Sequence, residues 1–202
     1  TVTSYLKDGY TASEITAQIK SWLDQESPNW PSGYRYELGG DAENTQENMA
    51  AGIKYLPLSG CIILLLLIFQ FNSIRKTVMV LSTIPLAIIG VVIGLIVFRS
   101  YFGLMGFLGV ISLAGIVINN AIVLIDRIEL ERNELQRPPA EAVQEACKQR
   151  FRPILLTTFT TTLGLIPLYL GGGVMWEPMA IAIMVGLLFA TCITLLFIPA
   201  LY

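Results

Sequence analysis

Five stretches of at least 17 residues in this sequence contain no Lys, Arg, Asp or Glu. A helix of about 20 apolar residues crosses the hydrocarbon core of a bilayer, which is about 30 Å thick. A buried helix of that length in a soluble protein would normally carry charge on one face. We therefore predict five transmembrane helices in contact with the lipid bilayer, at about residues 53–72, 77–98, 102–126, 153–171 and 178–202.

Composition excludes several classes of protein. Only 14% of the residues are charged, against roughly 25% in a soluble domain. The net charge of -2 provides no basic field for a nucleic-acid backbone, so we expect no nucleic-acid partner. The chain has no His, the usual general base of nucleophilic enzymes and the commonest metal ligand. We expect neither an enzyme nor a bound cofactor or metal.

The basic residues of the loops predict the orientation in the membrane. Arg75 and Lys76 follow the first span, and six Lys or Arg residues lie between the third and fourth spans. The opposite loops contain only Arg99. Loops rich in Lys and Arg face the cytoplasm. The N-terminal segment should therefore lie on the outer side of the membrane, and the C-terminus on the cytoplasmic side.

Residues 1–50 differ in composition from the spans. A capping-type start at Thr11 precedes an amphipathic helix pattern, and residues 34–38 alternate like a strand, with residues 2–6 as a possible earlier strand. This fragment is too small to bury its own core. We predict an all-α bundle of five transmembrane helices with a small N-terminal α+β fragment. Because the chain starts at Thr1 and not at Met, we also expect it to be part of something longer.

Residues 127–152 form the charged connector between the third and fourth spans. Pro138 and Pro139 can start a helix on which four small or apolar side chains share one side. We interpret it as a cytoplasmic linker with a helix lying along the membrane surface. A simple solvated connector explains the same pattern.

Polar residues in the third span share one helical face. Ser112, Gly115, Asn119 and Asp126 recur at spacings of three, four and seven residues. Amides at that depth must find partners inside a bundle, and Asn120 adds a second one. These polar residues either form hydrogen bonds that join helices or belong to a coupling site.

Hydroxyl groups in the fourth span form two adjoining faces. Thr157, Thr161 and Gly164 lie on one of them, and Thr158 and Thr162 on the other. The interiors of the spans contain no carboxylate, Lys or His, so this chain alone cannot complete a proton relay. In the second span, Gly90 and Gly94 permit close approach of another helix.

Several motifs resemble the C-terminal part of resistance-nodulation-division (RND) multidrug efflux pumps, of the hydrophobe and amphiphile exporter branch. They are GVISLAGIVINNAIVLID at 109–126, RFRPILLTT at 150–158, FQFNS at 69–73, PLA at 85–87 and FIPAL at 197–201. The resemblance covers nearly the whole chain. It implies an inner-membrane exporter of Gram-negative bacteria, driven by the proton gradient. It also implies a homotrimer with a periplasmic adaptor and an outer-membrane channel as partners.

The same resemblance assigns parts of the chain. Residues 1–50 look like the end of a periplasmic porter subdomain, and the spans look like the eighth to twelfth of twelve. Asn119 stands where many drug exporters have a Lys that pairs with membrane aspartates, while Arg150 and Thr157 match the family's Arg and Thr near the relay. The candidates for a proton-coupling site are Asn119, Asn120, Thr157 and Arg150, followed by Ser112, Thr158, Thr161 and Asp126.

Other functions remain open at this point. The chain could be an inactive or regulatory half-pump, or a relative of these pumps that moves lipid or protein. An intramembrane enzyme is the weakest alternative, since the spans lack His and paired carboxylates.

Overall fold

The computed structural model describes residues 12–202 except 32, 35 and 37–40, and the described residues contain seven α-helices and no strand. The helices are α1 (Ala12–Glu26), α2 (Asp41–Phe71), α3 (Ile74–Leu81), α4 (Thr83–Val97), α5 (Leu104–Asn133), α6 (Pro139–Gly171) and α7 (Gly173–Leu201).

The chain divides into two compact units, residues 1–57 and 58–202. In the first unit a 3-10 turn, Ser27–Asn29, follows α1. The Tyr36 hydroxyl donates a hydrogen bond to Asp24, and the Trp30 ring meets the Tyr36 ring edge to face, with centroids 6.1 Å apart. The α+β character that we predicted for residues 1–50 is not shown. The expected strand at 2–6 lies outside the described residues, and so does most of the one at 34–38.

The predicted five long apolar helices are confirmed. The helical stretches that are long and apolar enough to cross a membrane are Glu47–Phe71, Ile74–Val97, Leu104–Asn133, Pro139–Gly171 and Met175–Leu201. The second stretch is interrupted at Ser82, between α3 and α4. Pro85 has no N–H to donate to the carbonyl four residues earlier, which weakens the helix at this point. The Ser82 hydroxyl donates to the Met79 carbonyl of the preceding turn at 2.7 Å.

Helix α7 is the centre of the second unit, because α4, α5 and α6 all pack against it. Glycines permit the close contact with α4. A Cβ atom added at Gly90 would lie 2.6 Å from the Phe189 Cβ, and one added at Gly94 would lie 2.8 Å from the Val185 Cβ. The pair of small residues on α4 therefore serves the α4–α7 contact.

Helix α2 adds little to this core. Leu67 and Phe71, near its C-terminal end, are buried against the side chains of the bundle. Most of its other large apolar side chains are exposed, and Phe69 is 89% exposed. This surface suits lipid or protein outside the described residues.

The connector between α5 and α6 differs from our expectation of a separate surface helix. The helix that begins at Pro139 continues without interruption through Pro153 to Gly171. Its 33 residues span about 50 Å, well beyond the hydrocarbon thickness. Ala142 and Ala146 are fully buried, and Ala146 belongs to the same core cluster as Ile125 and Ile128 of α5. This packing joins the first turns of α6 to the same bundle as α5.

Candidate functional site

The polar residues of α5 lie on the side of the helix that the second unit leaves uncovered. Ser112, Gly115, Asn119 and Asp126 are all exposed, and a Cβ atom added at Gly115 would meet nothing within 4 Å. The opposite side of α5 is the one that packs, through the buried residues Leu113, Val117, Ala121, Leu124 and Ile128. We call the uncovered side the α5 polar face.

The two adjacent amides of α5 differ in exposure. Asn119 is exposed and Asn120 is half-buried. Neither side chain forms a hydrogen bond with the part of the chain that the structure describes. An amide facing hydrocarbon without a partner is costly, so the α5 polar face requires polar groups from elsewhere.

Helix α6 has a similar uncovered side. Thr157, Thr160 and Gly164 are exposed, Thr161 is half-buried, and a Cβ atom added at Gly164 would also meet open space. The Thr157 hydroxyl donates to the Ile154 carbonyl at 2.9 Å, within its own helix. A hydroxyl can rotate away from such a local bond towards a stronger acceptor. We call this side the α6 polar face.

Thr158 does not belong to the α6 polar face. It is 1% exposed, and its hydroxyl lies 2.9 Å from that of Thr191 on α7. The buried Thr162 hydroxyl, four residues further on, has no hydrogen-bond partner among the described residues. Of the two hydroxyl faces expected on this helix, one therefore joins α6 to α7 and the other stays open.

Charged groups mark one end of both polar faces. Asp126 follows Asn119 by seven residues and Arg150 precedes Thr157 by seven, which places each pair on one side of its helix about 10 Å apart. Arg150 is half-buried, and its Nε has no hydrogen-bond partner among the described residues. Both polar faces therefore run from uncharged groups at mid-span to a charge at the same end of the bundle.

The sequence reasoning missed a buried carboxylate beside this end. Glu131 on α5 is fully buried and interacts with Arg127, Arg137 and Gln149. In the sequence, Glu131 is one of the charged residues of the connector 127–152, whose composition also suits a solvated segment. The spacing held a signal, because Glu131 continues the buried series of Ala121, Leu124 and Ile128.

The chemistry available on the two polar faces is hydrogen bonding without titration at mid-span. Amide and hydroxyl groups can donate to a carboxylate and thereby favour its charged form. They cannot themselves take up a proton at physiological pH. The nearest described carboxylate on either face is Asp126, about 10 Å from Asn119 along α5.

Comparison with known proteins identifies the family of this chain. The model of the AcrB/AcrD/AcrF family matches residues 1–202. The multidrug resistance protein MdtC of Klebsiella pneumoniae is 32% identical over 206 aligned positions, and MdtC of Citrobacter koseri is equally similar. Each match covers 100% of this chain and 20% of the relative. The chain thus spans about a fifth of the length of these relatives.

Solved structures lead to the same family. The crystal structure of a heavy metal efflux pump superposes with a TM-score of 0.74 at 30% sequence identity, covering 96% of this chain and 20% of the pump. A second crystal form of a heavy metal efflux pump gives a TM-score of 0.69 at 29% identity. With a family model matched from end to end, the chain belongs to the AcrB/AcrD/AcrF family of RND efflux pumps.

Proposed function

We propose that this chain is the C-terminal membrane part of a proton-driven exporter of drugs or other amphiphiles in a bacterial inner membrane. The observation that carries the proposal is the pair of polar faces on α5 and α6, which nothing in the described residues covers. Polar groups at that depth imply a polar partner. In an RND pump this partner would come from the remainder of the chain.

The coupling role that we assign to these faces is to hold and orient a carboxylate of that remaining part. Asn119, with Asn120 beside it, and Thr157 would donate hydrogen bonds to the carboxylate and stabilise its charged form. Arg150 adds a positive charge towards one end of the site. Proton uptake would weaken these bonds, and the helices would repack in response.

Family membership supports a proposal for the cargo and for the assembly. We propose a homotrimer that works with a periplasmic adaptor and an outer-membrane channel. Drugs and other amphiphiles are the first candidate cargo, since the relatives that cover the whole chain are multidrug resistance proteins. Metal cations are the second candidate, because the superposed structures are heavy metal efflux pumps. Parallel efflux assays with a cationic dye and with a metal ion distinguish the two cargos.

Removing single polar groups from the two faces tests the coupling role. We expect Asn119→Ala or Thr157→Val to reduce efflux by the complete pump roughly tenfold or more, because a hydrogen bond to a charged group contributes about 1.5–3 kcal/mol. Thr157→Ser keeps the hydroxyl and should retain most of the activity. Ile93→Ala, at an exposed apolar position of α4, should change little. Initial efflux rates, normalised for pump abundance, rank the four variants by activity. Parental efflux rates in both Asn119→Ala and Thr157→Val would show that the polar faces serve helix packing only and have no coupling role.

Cysteine labelling tests the orientation. We propose that the α5–α6 connector faces the cytoplasm and the α6–α7 turn the outside. Gly171 suits a probe, because a Cβ atom there meets nothing within 4 Å, whereas one at Gly172 would crowd the Trp176 Cβ at 2.9 Å. In intact cells an impermeant maleimide should label Gly171→Cys and spare Leu135→Cys. The reverse pattern would contradict the orientation.

A further inference from the structure

Glu131 lies where three segments of the second unit meet. It is in the last turn of α5, and its side chain is fully buried. Arg127, one turn earlier on α5, approaches Oε1 to 2.5 Å, and the Gln149 amide of α6 donates to the same oxygen at 3.1 Å. The guanidinium of Arg137, in the loop 134–138 between α5 and α6, lies 3.3 Å from Oε2 and forms an ion pair with it but no hydrogen bond. The Glu131 carboxylate thus joins three segments: α5, the loop 134–138 and α6.

The main chain strengthens the same junction. The backbone N–H of Arg137 donates to the backbone carbonyl of Glu131 at 3.2 Å. Glu131 therefore contacts the loop 134–138 through both its side chain and its backbone. Glu145 on α6 accepts a hydrogen bond from Gln149 at 3.2 Å and lies 3.9 Å from Arg137. The carboxylates therefore alternate with basic and amide groups from neighbouring segments.

A buried carboxylate in this setting depends on its partners. Removing one member of a buried ion pair leaves an uncompensated charge, which is far more costly than losing a pair at the surface. The apolar contact beside it includes the small residues Ala142 and Ala146 of α6, both fully buried. Small side chains permit a close contact but bury little area. The polar contacts of Glu131 therefore contribute much of the interaction that holds α5 and α6 together at this end of the helical hairpin that they form.

The junction lies on the same two helices as the polar faces. Glu131 follows Asn119 by 12 residues, or about 18 Å along α5, and Gln149 precedes Thr157 by eight, or about 12 Å along α6. Helix α5 has no proline over this distance, and α6 remains helical through Pro153, although that residue removes one backbone hydrogen bond. Fixing the base of the hairpin therefore restricts how far the two polar faces can separate or rotate.

We propose that Glu131 is a positioning residue, which clamps α5 to α6 so that Asn119 and Thr157 move as one unit. The clamp itself follows from the contacts of Glu131, while its effect on export rests on the proposed function. In this proposal Glu131 acts through the two helices and touches neither the cargo nor the coupled carboxylate.

The test measures two quantities in the complete pump, the distance between α5 and α6 and the rate of export. Spin labels at Asn133→Cys on α5 and Gln144→Cys on α6, both exposed positions, report the separation of the helices in a background without other cysteines. Glu131→Gln keeps the size of the side chain and removes its charge. Arg137→Gln weakens the clamp from its partly exposed side, in case Glu131→Gln fails to fold. Glu134→Gln removes an exposed carboxylate three residues away and is the matched control.

We expect Glu131→Gln and Arg137→Gln each to broaden the distance distribution, and the double variant to add little to Glu131→Gln, as members of one network do. The maximal efflux rate should fall roughly threefold, as for other residues that modulate coupling, with an unchanged KM for cargo. Glu134→Gln should match the parent in both measurements.

A distance distribution in Glu131→Gln equal to that of Glu134→Gln would overturn the clamp. A broadened distribution with parental efflux would overturn the positioning role. The distances are measured without transport. A failure of the proposed function would therefore appear as parental efflux in Asn119→Ala while the distance result stands.

Discussion

Replacing Gly90 by Leu is expected to leave very little folded pump in the membrane. Gly90 faces α7, where an added Cβ would lie 2.6 Å from the Cβ and 2.9 Å from the Cδ1 of Phe189. The nearest of these atoms is bonded directly to the α7 backbone and cannot swing aside. Leu adds three further carbon atoms at the same point. We expect a cost at or above the upper end of the usual range for overpacking, which is about 3 kcal/mol.

The effect should spread because α7 is shared. If α7 moves away from Gly90, its contacts with α5 and α6 must change as well. Fluorescence-detected size exclusion and thermal unfolding of the detergent-solubilised pump measure the loss. Val92→Leu is the matched control, since it enlarges an exposed side chain two residues away on the same helix. Equal yields of folded protein from the two variants would show that the α4–α7 contact is more adaptable than its geometry indicates.

Replacing Gly115 by Leu is expected to abolish export while leaving these helices folded. A Cβ atom at Gly115 meets nothing within 4 Å, and Gly115 lies on the α5 polar face, one turn before Asn119. Leu therefore strains no contact among the described residues. If the rest of the pump packs on this face as proposed, the larger side chain separates Asn119 from its partner. A displacement of about 1 Å can already cost a hundredfold in rate at a positioned site.

Two measurements separate this prediction from that for Gly90. Gly115→Leu should reach the membrane in near-parental amounts yet show no efflux of dye above an empty-vector control. Gly115→Ala adds one methyl group and should keep measurable efflux. Full export by Gly115→Leu would mean that the α5 polar face is not a packing surface in the pump.

The sequence was sufficient for the number of long helices and for the polar faces. Uncharged length determines whether a helix can cross a bilayer, and it can be counted directly. Asn119 and Asp126 share a face because seven residues make nearly two whole turns. That Gly90 and Gly94 permit close helix approach also followed from their spacing, although only the structure identified α7 as the partner.

Other features depend on three-dimensional contacts and could not be predicted. The charges of residues 127–152 resembled a solvated surface, yet Glu131 is buried by partners from the connector and from α6. Thr158 and Thr157 are adjacent and chemically identical, but the position of α7 buries only the first. A single Pro153 likewise did not reveal that the helix would continue through it.

The position of α7 also affects the order of assembly. Helix α7 follows α4, α5 and α6 in the chain, so it is synthesised after the three helices that it joins. At about 5–20 residues per second, it leaves the ribosome roughly 5–20 s after α4. During that interval the Gly90 surface has no α7 to pack against, and the Thr158 hydroxyl, synthesised later on α6, lacks α7 for a shorter part of it. Lipid or another protein must therefore cover these surfaces until α7 inserts.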